Sequence, residues 1–279
     1  MECFNWKRVA IIASTDDIWQ IAANLVKIEL SKKGIFVAHF HSFIPGKLHV
    51  LENRIERQAD QIKLAASRAK IFILLCSGGD IRYIMLNFLD FGLLNGKNAF
   101  ITVHLPKRSY IGNNTWMGND GRDDDAKRAS EGVLNIEQKF GTYQKSGVKV
   151  KSFLNRVRLR LKEYPFKSDI DDNSKIEAYA GTMYDAVYLY ALALNDTLNE
   201  GIGKRDGLKI AQKMYNRVFE EVAGTVYIDN KGDRDPDYTI QTLINDRFED
   251  IAYYTRYNDN LTIRAGVTIV WPGEGHDSS

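Results

Sequence analysis

Short apolar runs alternate with helix-length amphipathic segments over the first part of the chain, and this alternation constrains the fold more than any other feature. Four apolar runs predict strands, at residues 9–13, 35–40, 71–76 and 99–103. Each of the first three is followed by apolar residues at the spacing of a helix face. Nearly continuous apolar strands are typical of parallel sheets that are covered on both faces. The alternation therefore predicts an α/β fold with a doubly wound parallel sheet.

The second half of the chain has a different pattern. Residues 153–164 fit either a strand or a helix, and we favour a helix because the segment is long and charged. Ser174 and Glu177 form a capping box ahead of residues 178–194, which are apolar on nearly every side apart from Asp185. This pattern predicts a helix buried in a core rather than a membrane span, because a span needs about 20 apolar residues.

Composition excludes several classes of protein. The 279 residues include 38 Lys and Arg against 36 Asp and Glu, and the net charge of +2 gives no prediction of nucleic-acid or membrane-surface binding. Hydrophobic residues make up 44% and charged residues 27%, which excludes disorder for the chain as a whole. The N-terminus lacks the apolar core of a signal peptide, so the sequence taken alone predicts neither export nor a membrane anchor.

Polar residues at the carboxyl ends of the predicted strands form the candidate ligand site, because open α/β sheets bind ligands at that edge. They are residues 14–17 after the first strand, Ser77, Gly78 and Gly79 after the third, and His104 after the fourth. The turn at Ser77 could cradle an anion with its amides. We favour an ordinary turn in which Asp80 caps the next helix, because the local pattern alone is weak.

No motif for catalysis or cofactor binding is found in the sequence. The chain lacks the G-x-G-x-x-G and Walker A patterns, the G-x-S-x-G elbow and the H-E-x-x-H pair. His39 and His41 share a strand face but have no nearby acidic or thiol ligand. The acidic residues from Asp229 to Asp237 lack the Gly and Glu of a calcium loop. We therefore predict that the chain is not an enzyme and holds no metal and no cofactor.

Three N-x-[ST] sequons, at Asn113, Asn195 and Asn260, are candidate glycosylation sites. Asn113 falls in a polar stretch and Asn260 in a predicted turn, where a glycan would be tolerated. The sequons favour an exported protein, whereas the missing signal peptide does not.

The C-terminal half carries a series of specific segments, among them YDAVYLYALALNDTL and GTVYIDNKGDRDPDY. The series comprises residues 184–198, 206–207, 214–219, 224–238 and 271–273, and residues 118–126 add a further match upstream. It resembles the extracellular ligand-binding region of receptor guanylate cyclases, the family that includes the natriuretic peptide receptors. The resemblance extends from Arg8 to Trp271.

The resemblance implies a type I periplasmic-binding-protein fold, in which two α/β lobes are hinged around a cleft. It implies one complete membrane-proximal lobe from residues 1–147 and 223–272, a partial membrane-distal lobe from residues 148–222, and a tail at 273–279. Members of the family form homodimers outside the cell, bind a peptide or another ligand, and activate an intracellular cyclase through a transmembrane helix. This implies a receptor region on the extracellular face of the plasma membrane, with the membrane segment and the cyclase outside this chain.

Within the resemblance, we expect Asp16, Asp17 and Trp19 to face the ligand, because they open the first helix at the carboxyl edge of the sheet. The two carboxylates could bind a basic peptide and Trp19 could anchor it. The same residues could instead cap the helix and fill the core. Cys76 resembles a family cysteine that forms a disulfide with the start of the first helix, where this chain has residues 18–20 without a cysteine.

Two further functions stay open on the same fold. One is a small-molecule sensor or solute-binding protein, which would need two lobes to enclose its ligand. The other is a nucleotide-using enzyme with a Rossmann-like sheet, which depends on Ser77, Gly78 and Gly79 alone. A partial distal lobe would also leave the flank of residues 184–198 uncovered, so we expect the isolated chain to self-associate.

Overall fold

A computed structural model describes residues 4–45, 52–104, 116–138, 148–173, 176, 179–222, 224–244 and 247–266. The capping box at Ser174 and Glu177, the sequon at Asn113 and the segment 271–273 lie outside these residues. The chain divides into two compact units: unit 1 comprises Met1–Glu137, Thr239–Tyr253 and Thr262–Ser279, and unit 2 comprises Gln138–Tyr238 and Tyr254–Leu261. The lobe boundaries expected at residues 148 and 223 stay predictions.

The described part of unit 1 begins with strands that alternate with helices, as the apolar runs predict. In chain order the elements are β1 (Arg8–Ser14), α1 (Asp17–Lys32), β2 (Phe36–Phe43), α2 (Glu52–Arg68), β3 (Ile71–Leu75), α3 (Gly78–Asp90), β4 (Ala99–His104), α4 (Asp123–Ser130) and β5 (Leu134–Gln138). β2 extends beyond its predicted end at residue 40, because residues 41–43 continue the parallel pairing with residues 12–14.

The described part of unit 2 contains helices and a small antiparallel sheet. Its elements are α5 (Val148–Lys162), α6 (Tyr179–Asn199), α7 (Gly207–Gln212), β6 (Val218–Glu221), β7 (Gly224–Ile228) and β8 (Arg234–Asp235). The helix predicted over residues 153–164 is confirmed, since α5 covers most of that segment. Phe153 and Leu154 of α5 pack with Val222 in the core of this unit.

A large and mostly parallel sheet forms the centre of unit 1. β1 pairs in parallel with both β2 and β3, β3 pairs with β4, and β4 pairs with β5. Three later strands, β9 (Tyr238–Ile244), β10 (Arg247–Thr255) and β11 (Asn260–Ile263), extend it to the order β11-β10-β9-β5-β4-β3-β1-β2. The predicted doubly wound parallel sheet is thereby confirmed for the first five strands.

Helices cover both faces of this sheet. α1 packs on one face through Trp19 and Ala23, against apolar residues of β1 and β3. α2 and α3 pack on the other face, where Phe72, Phe88 and Phe100 contact one another with ring centroids between 4.7 and 5.2 Å apart. Burying an aromatic side chain of this size contributes about 1.5–3 kcal/mol, so these rings are a large part of the core energy.

α6 does not have the all-round burial that its apolar sequence predicts. Asp185 and Ala193 are buried, but Met183 and Val187 are each 70% exposed. The prediction of a helix buried on every side is wrong, because burial depends on neighbouring elements that the period of one helix does not specify. The exposure of Val187 agrees with the expected uncovered flank. Within the described residues, no helix is both long enough and apolar enough to cross a bilayer.

Candidate functional site

The carboxyl ends of β1 and β3 lie where the strand order of unit 1 changes direction. β2 lies on one side of β1 and β3 lies on the other, and the helices that follow β1 and β3 pack on opposite faces of the sheet. In doubly wound sheets this arrangement opens a crevice in which ligands bind. Ser14 ends β1 and Ser77 follows β3, so two of the predicted site segments flank the same crevice.

Asp16 and Asp17 lie at the start of α1, and both are exposed. The hydroxyl of the buried Ser14 donates a hydrogen bond to Oδ2 of Asp16 at 3.1 Å. The structure does not show the side-chain cap considered for Asp16, although its carbonyl accepts bonds from the amides of Trp19 and Gln20. The two carboxylates are therefore presented to solvent at the positive end of the helix dipole.

Two contacts with β2 fix the start of α1. The Ser42 hydroxyl donates to Oε1 of Gln20 at 2.9 Å. The amide of Thr15 donates to the carbonyl of Phe43 at 2.8 Å. Sequence reasoning missed the Ser42–Gln20 bond, because the two residues are 22 positions apart and a polar residue in an edge strand is its only local signal.

Trp19 is buried, with 3% of its surface exposed. Its ring packs in the core of unit 1 with Ala23. A ring in this position cannot anchor a ligand at the surface, so we leave Trp19 out of the proposed ligand site. Its contribution is to hold α1, and with it the carboxylates of Asp16 and Asp17, against the sheet.

The turn at Ser77 is a helix cap. The Ser77 hydroxyl accepts a bond from the Asp80 amide at 3.5 Å and donates to Oδ2 of Asp80 at 2.8 Å. The capping residue is therefore Ser77, and the prediction that Asp80 caps the helix is wrong. The carboxylate of the buried Asp80 lies in the first turn of α3 and disfavours a second anion there. The geometry of Ser77, Gly78 and Gly79 thus favours the ordinary turn over an anion cradle.

Cys76 is a free thiol in the core. Burial raises the pKa of the Cys76 thiol well above its usual value, and the carboxylate of Asp80 raises it further. A buried, protonated thiol is a poor nucleophile at neutral pH. Cys76 is therefore a packing residue, and it forms no disulfide within the described part of the chain.

A small cavity in unit 1 is lined by apolar residues together with a few polar residues of β4, β5 and α3. Its volume is about 30 Å³, which is room for about one water molecule but not for an amino acid or a nucleotide. The Thr102 hydroxyl donates to Oδ1 of Asn135 at 2.9 Å in its buried wall. Arg82 and Trp116 also line it. The cavity gives no support to the solute-binding or nucleotide-using alternatives.

Arg82 of α3 holds residues 116–122, a segment that we call the strap. Its guanidinium donates to the two carboxylate oxygens of Asp120, each at 2.6 Å, and to Asp123 at 3.0 Å. It also donates to the carbonyl of Trp116 at 2.8 Å. The Arg82 hydrogen bond is the main reason that the pKa of Asp120 is lowered to about 2.

A second arginine, the last residue of the strap, makes a similar set of bonds. Arg122 donates to both oxygens of Asp90, at 3.0 and 2.7 Å, and to Asp125 at 3.2 and 3.1 Å. Sequence reasoning did not identify either arginine as a positioning residue. The available signal was the arginine among four aspartates within residues 118–126, the stretch that the family resemblance had already selected.

His39 and His41 lie on one face of β2 with their ring centroids 6.3 Å apart. Burial lowers the pKa of His39, and the charges of His41 and Arg68 lower it further. Within the described residues, no group of three or more His, Cys, Asp or Glu side chains could hold a metal ion. This pair therefore remains a feature of the packing beneath α2.

The remaining predicted site residues are dispersed. His104 ends β4, and its backbone pairs with Glu137 of β5 at the carboxyl edge of the sheet, while its side chain lies outside the described part. Asn195 is exposed on α6, and Asn260 is exposed at the start of β11. Both asparagines are accessible to a glycan, and glycosylation of the three sequons stays a prediction.

Unit 2 carries an open groove of about 390 Å³ along α5. Arg156 and Arg160 line it one helical turn apart, together with the rings of Phe166 and Tyr184. Tyr184 also contacts Phe153, with ring centroids 5.2 Å apart. Arginine beside aromatic surface is typical of protein contact surfaces.

Among the described residues at the crevice of unit 1, Asp16 and Asp17 present exposed carboxylates, which can accept hydrogen bonds from Lys or Arg side chains of a ligand. The Cys76 thiol is buried, and the Ser77 hydroxyl is engaged in a helix cap. The geometry therefore provides a negatively charged edge.

Comparison with known proteins gives one family and several relatives. The family model described as receptor family ligand binding region matches residues 1–246. Atrial natriuretic peptide receptor 3 of Mus musculus is 25% identical over 96% of this chain and 48% of its own length, and that of Bos taurus is 30% identical over 76% and 38%. Receptor-type guanylate cyclase gcy-28 of Caenorhabditis elegans is 31% identical over 68% of this chain and 15% of its own length. The chain spans about half the length, or less, of these curated relatives.

Proposed function

Because the chain belongs to the family of receptor ligand-binding regions, we propose that it binds an extracellular ligand as the recognition part of a receptor. The observation that carries this proposal is the family match over residues 1–246, which includes elements of both units. Similarity to natriuretic peptide receptors and to a receptor-type guanylate cyclase supports a peptide as the ligand.

The ligand site in this proposal is the crevice between the carboxyl ends of β1 and β3. Asp16 and Asp17 bind basic side chains of the peptide, and Ser77 and Gly78 form the opposite border. The exposed carboxylates support this assignment, as does the Ser14 hydroxyl that orients Asp16. A pair of exposed carboxylates at the start of a helix favours a positively charged partner, although the helix dipole offsets part of that charge.

The same proposal gives the chain no catalytic role. Two copies act as a homodimer on the extracellular face of the plasma membrane, and ligand binding changes the relation between them. Any cyclase that responds belongs to other parts of a longer receptor. The restriction of the match to a ligand-binding region supports this division, and the exposed sequons at Asn195 and Asn260 support a location outside the cell.

The test uses atrial natriuretic peptide as the probe, titrated calorimetrically onto the purified chain. We expect the double variant Asp16→Asn/Asp17→Asn to bind about tenfold more weakly, since each lost ion pair at an exposed position contributes up to about 1 kcal/mol. Its affinity should also depend less on salt concentration. Asp60→Asn, which removes an exposed carboxylate from α2, is the matched control and should bind like the unmodified chain.

If the double variant and the unmodified chain bind the peptide with equal affinity, the peptide does not bind in this crevice. If the unmodified chain gives no heat with the peptide and is not protected by it from thermal unfolding, the assignment of the ligand as a peptide of this class is wrong.

A further inference from the structure

Helix α5 concentrates positive charge on one element of unit 2. Its 15 residues include six Lys and Arg and no Asp or Glu, whereas the whole chain has a net charge of +2. The remainder of the chain is therefore net negative, and the excess of positive charge is local to this helix. Four of the six basic residues fall within residues 156–162, a run of the kind that marks heparin or nucleic-acid patches.

The basic side chains of α5 follow both flanks of its exposed side. Arg156 and Arg160 are one helical turn apart and border the groove of unit 2. Lys151 and Lys162 fall on the other flank, about 16 Å apart along the helix axis. All four side chains are exposed. An extended anion that lies along the helix can therefore reach charges on both flanks.

Contacts in the described part of the chain leave most of this charge uncompensated. Arg160 contacts Glu163 at 2.8 Å, but the two side chains are 81% and 58% exposed, so this surface pair contributes little. Arg156 has no acidic partner among the described residues. Lys149 differs, because it pairs at 2.8 Å with Glu221, whose side chain is 11% exposed. We therefore leave Lys149 out of the site.

Exposed aromatic rings lie beside the arginines. Tyr164 and Phe166 follow the end of α5, and they are 85% and 66% exposed. Phe166 lines the same groove as Arg156 and Arg160. Flat ring faces of this kind can stack on the apolar face of a sugar ring. The guanidinium group binds tetrahedral anions through two parallel hydrogen bonds, so this combination is suited to a sugar that carries sulfate groups.

A protein partner fits the outer side of α5 less well. The centre of a protein interface is depleted of charge and rich in apolar residues. Among the described side chains of α5, Leu159 is the one large apolar residue that is exposed, and basic residues lie on both sides of it. Charge therefore dominates this surface, which favours a polyanion.

From these observations we propose that α5 and the groove beside it bind a sulfated polysaccharide of the glycosaminoglycan class. The polymer lies along the helix, and its sulfate groups contact the exposed basic residues, namely Lys151, Arg156, Arg160 and Lys162. A sugar ring stacks on Phe166. The choice of a sulfated polysaccharide over a nucleic acid rests on the extracellular location in the proposed function. The site goes beyond that function, because it takes a second ligand of opposite charge to the peptide.

The first experiment measures the binding of heparin, a highly sulfated polysaccharide, to the full chain by calorimetry. We expect binding that weakens as salt is added, because exposed charges are screened. Arg156→Gln/Arg160→Gln should bind heparin about tenfold more weakly, because two exposed ion pairs are lost. Lys204→Gln/Arg205→Gln removes the same charge from another exposed segment of unit 2. This matched control should bind heparin like the unmodified chain.

The second experiment tests the contact with a sugar ring. Phe166→Ala should weaken heparin binding several-fold and leave its dependence on salt unchanged, because the variant loses a stacking face and no charge. Equal heparin affinity for Phe166→Ala and the unmodified chain would contradict this contact. Circular dichroism verifies that each variant is folded, as expected for substitutions at exposed positions.

Other polyanions separate the sulfated polysaccharide from its competitors. At equal total charge we expect polyglutamate and a DNA duplex to bind more weakly than heparin. Equal binding of polyglutamate would assign the surface to acidic proteins, and equal binding of the duplex would show a surface for any polyanion. Each result would overturn the proposal, as would an unmodified chain that does not bind heparin or equal losses in the arginine variant and its control. None of these titrations contains the peptide, so their failure would leave the proposed peptide binding standing.

Discussion

His39 is a buried titratable side chain beside two positively charged neighbours. Burial lowers the pKa of its imidazole, and the charges of His41 and Arg68 lower it further. Because the folded pKa lies below the unfolded value of about 6.5, protons bind to the unfolded chain first as the pH falls. The free energy of unfolding should therefore decrease as the pH drops below about 6.5.

Replacing this histidine gives a direct check. In His39→Leu the free energy of unfolding should decline less steeply between about pH 7 and about pH 5 than in the unmodified chain, because the residue that takes up the proton on unfolding is gone. Urea unfolding at a series of pH values measures both slopes. Parallel slopes would show that His39 is not responsible for the decline.

Single contacts close in sequence could be predicted, and distant ones could not. Ser77 and Asp80 are three residues apart, and the pattern of a serine followed by an acid at that distance signals a capping box. Choosing Asp80 as the cap overlooked that signal. Arg82 and Asp120 are 38 residues apart, so their pairing depends on how α3 and the strap come together, which no local pattern specifies.

At the scale of elements, two arginines hold the strap against α3, Arg82 through Asp120 and Arg122 through Asp90, and a glycine fits closely beside Arg82. A Cβ atom at Gly118 would lie 2.7 Å from Cζ of Arg82, which is closer than such atoms approach. Any larger residue at position 118 must therefore shift the guanidinium of Arg82, which weakens its bonds to Asp120. The strap is an irregular segment, and Asp123 also holds it by accepting bonds from the amides of Gly118 and Asn119.

We expect Gly118→Ala to lower the midpoint of thermal unfolding by a few degrees at neutral pH. The reason is the loss of the Arg82–Asp120 bonds, which lower the pKa of Asp120 to about 2 from its usual 3.8. A carboxyl group with a lowered pKa stabilises the fold at any pH above its usual pKa, and this stabilisation is lost as the pH falls toward about 2. The difference in unfolding midpoint between the variant and the unmodified chain should therefore shrink over that pH range.

Gly79→Ala is the matched control for this substitution. No atom lies within 4 Å of the position that its Cβ would take, and its backbone is compatible with alanine. A comparable loss of stability in both alanine variants would mean that crowding at Arg82 is not the cause.

For the strands and helices too, features set by the local sequence could be predicted, and features set by distant parts of the chain could not. Buried strands such as β1 and β3 are apolar along their whole length, so their apolar runs predicted them well. β2 was predicted too short, because it lies at the edge of the sheet and its end contains the polar residues His41 and Ser42. The burial of α6 was overestimated, since its surroundings are set by other parts of the chain.

At the scale of the whole molecule, the mixed α/β architecture with its large, mostly parallel sheet agrees with the periplasmic-binding-protein-like fold that the resemblance implied. The two units differ in their cores. Unit 1 has a sheet covered on both faces, with Phe72, Phe88 and Phe100 fully buried. In the described part of unit 2 the buried apolar residues are fewer: Phe153, Leu154 and Val222 form one cluster, and Ala193, Ile210, Val226 and Ile228 are also buried.

This difference predicts that unit 2 opens before unit 1. As urea increases, amides of α6 should lose protection against hydrogen exchange at lower concentrations than amides of β3, because local stability follows the amount of buried apolar contact. Mass spectrometry of peptides from each element measures both midpoints. Loss of protection at one common midpoint would instead indicate that the two units unfold as a single cooperative block.

The longer segment of unit 2, Gln138–Tyr238, lies in the sequence between β5 and β9, which are neighbours in the sheet of unit 1. During translation, β5 leaves the ribosome well before its partner strand has been synthesised. In that interval the nascent sheet ends at an unpaired edge, which is a template for pairing with other chains. A ribosome that stalls within unit 2 would therefore release a product prone to aggregation, and chaperones that shield strand edges should matter most to this protein while its middle third is being made.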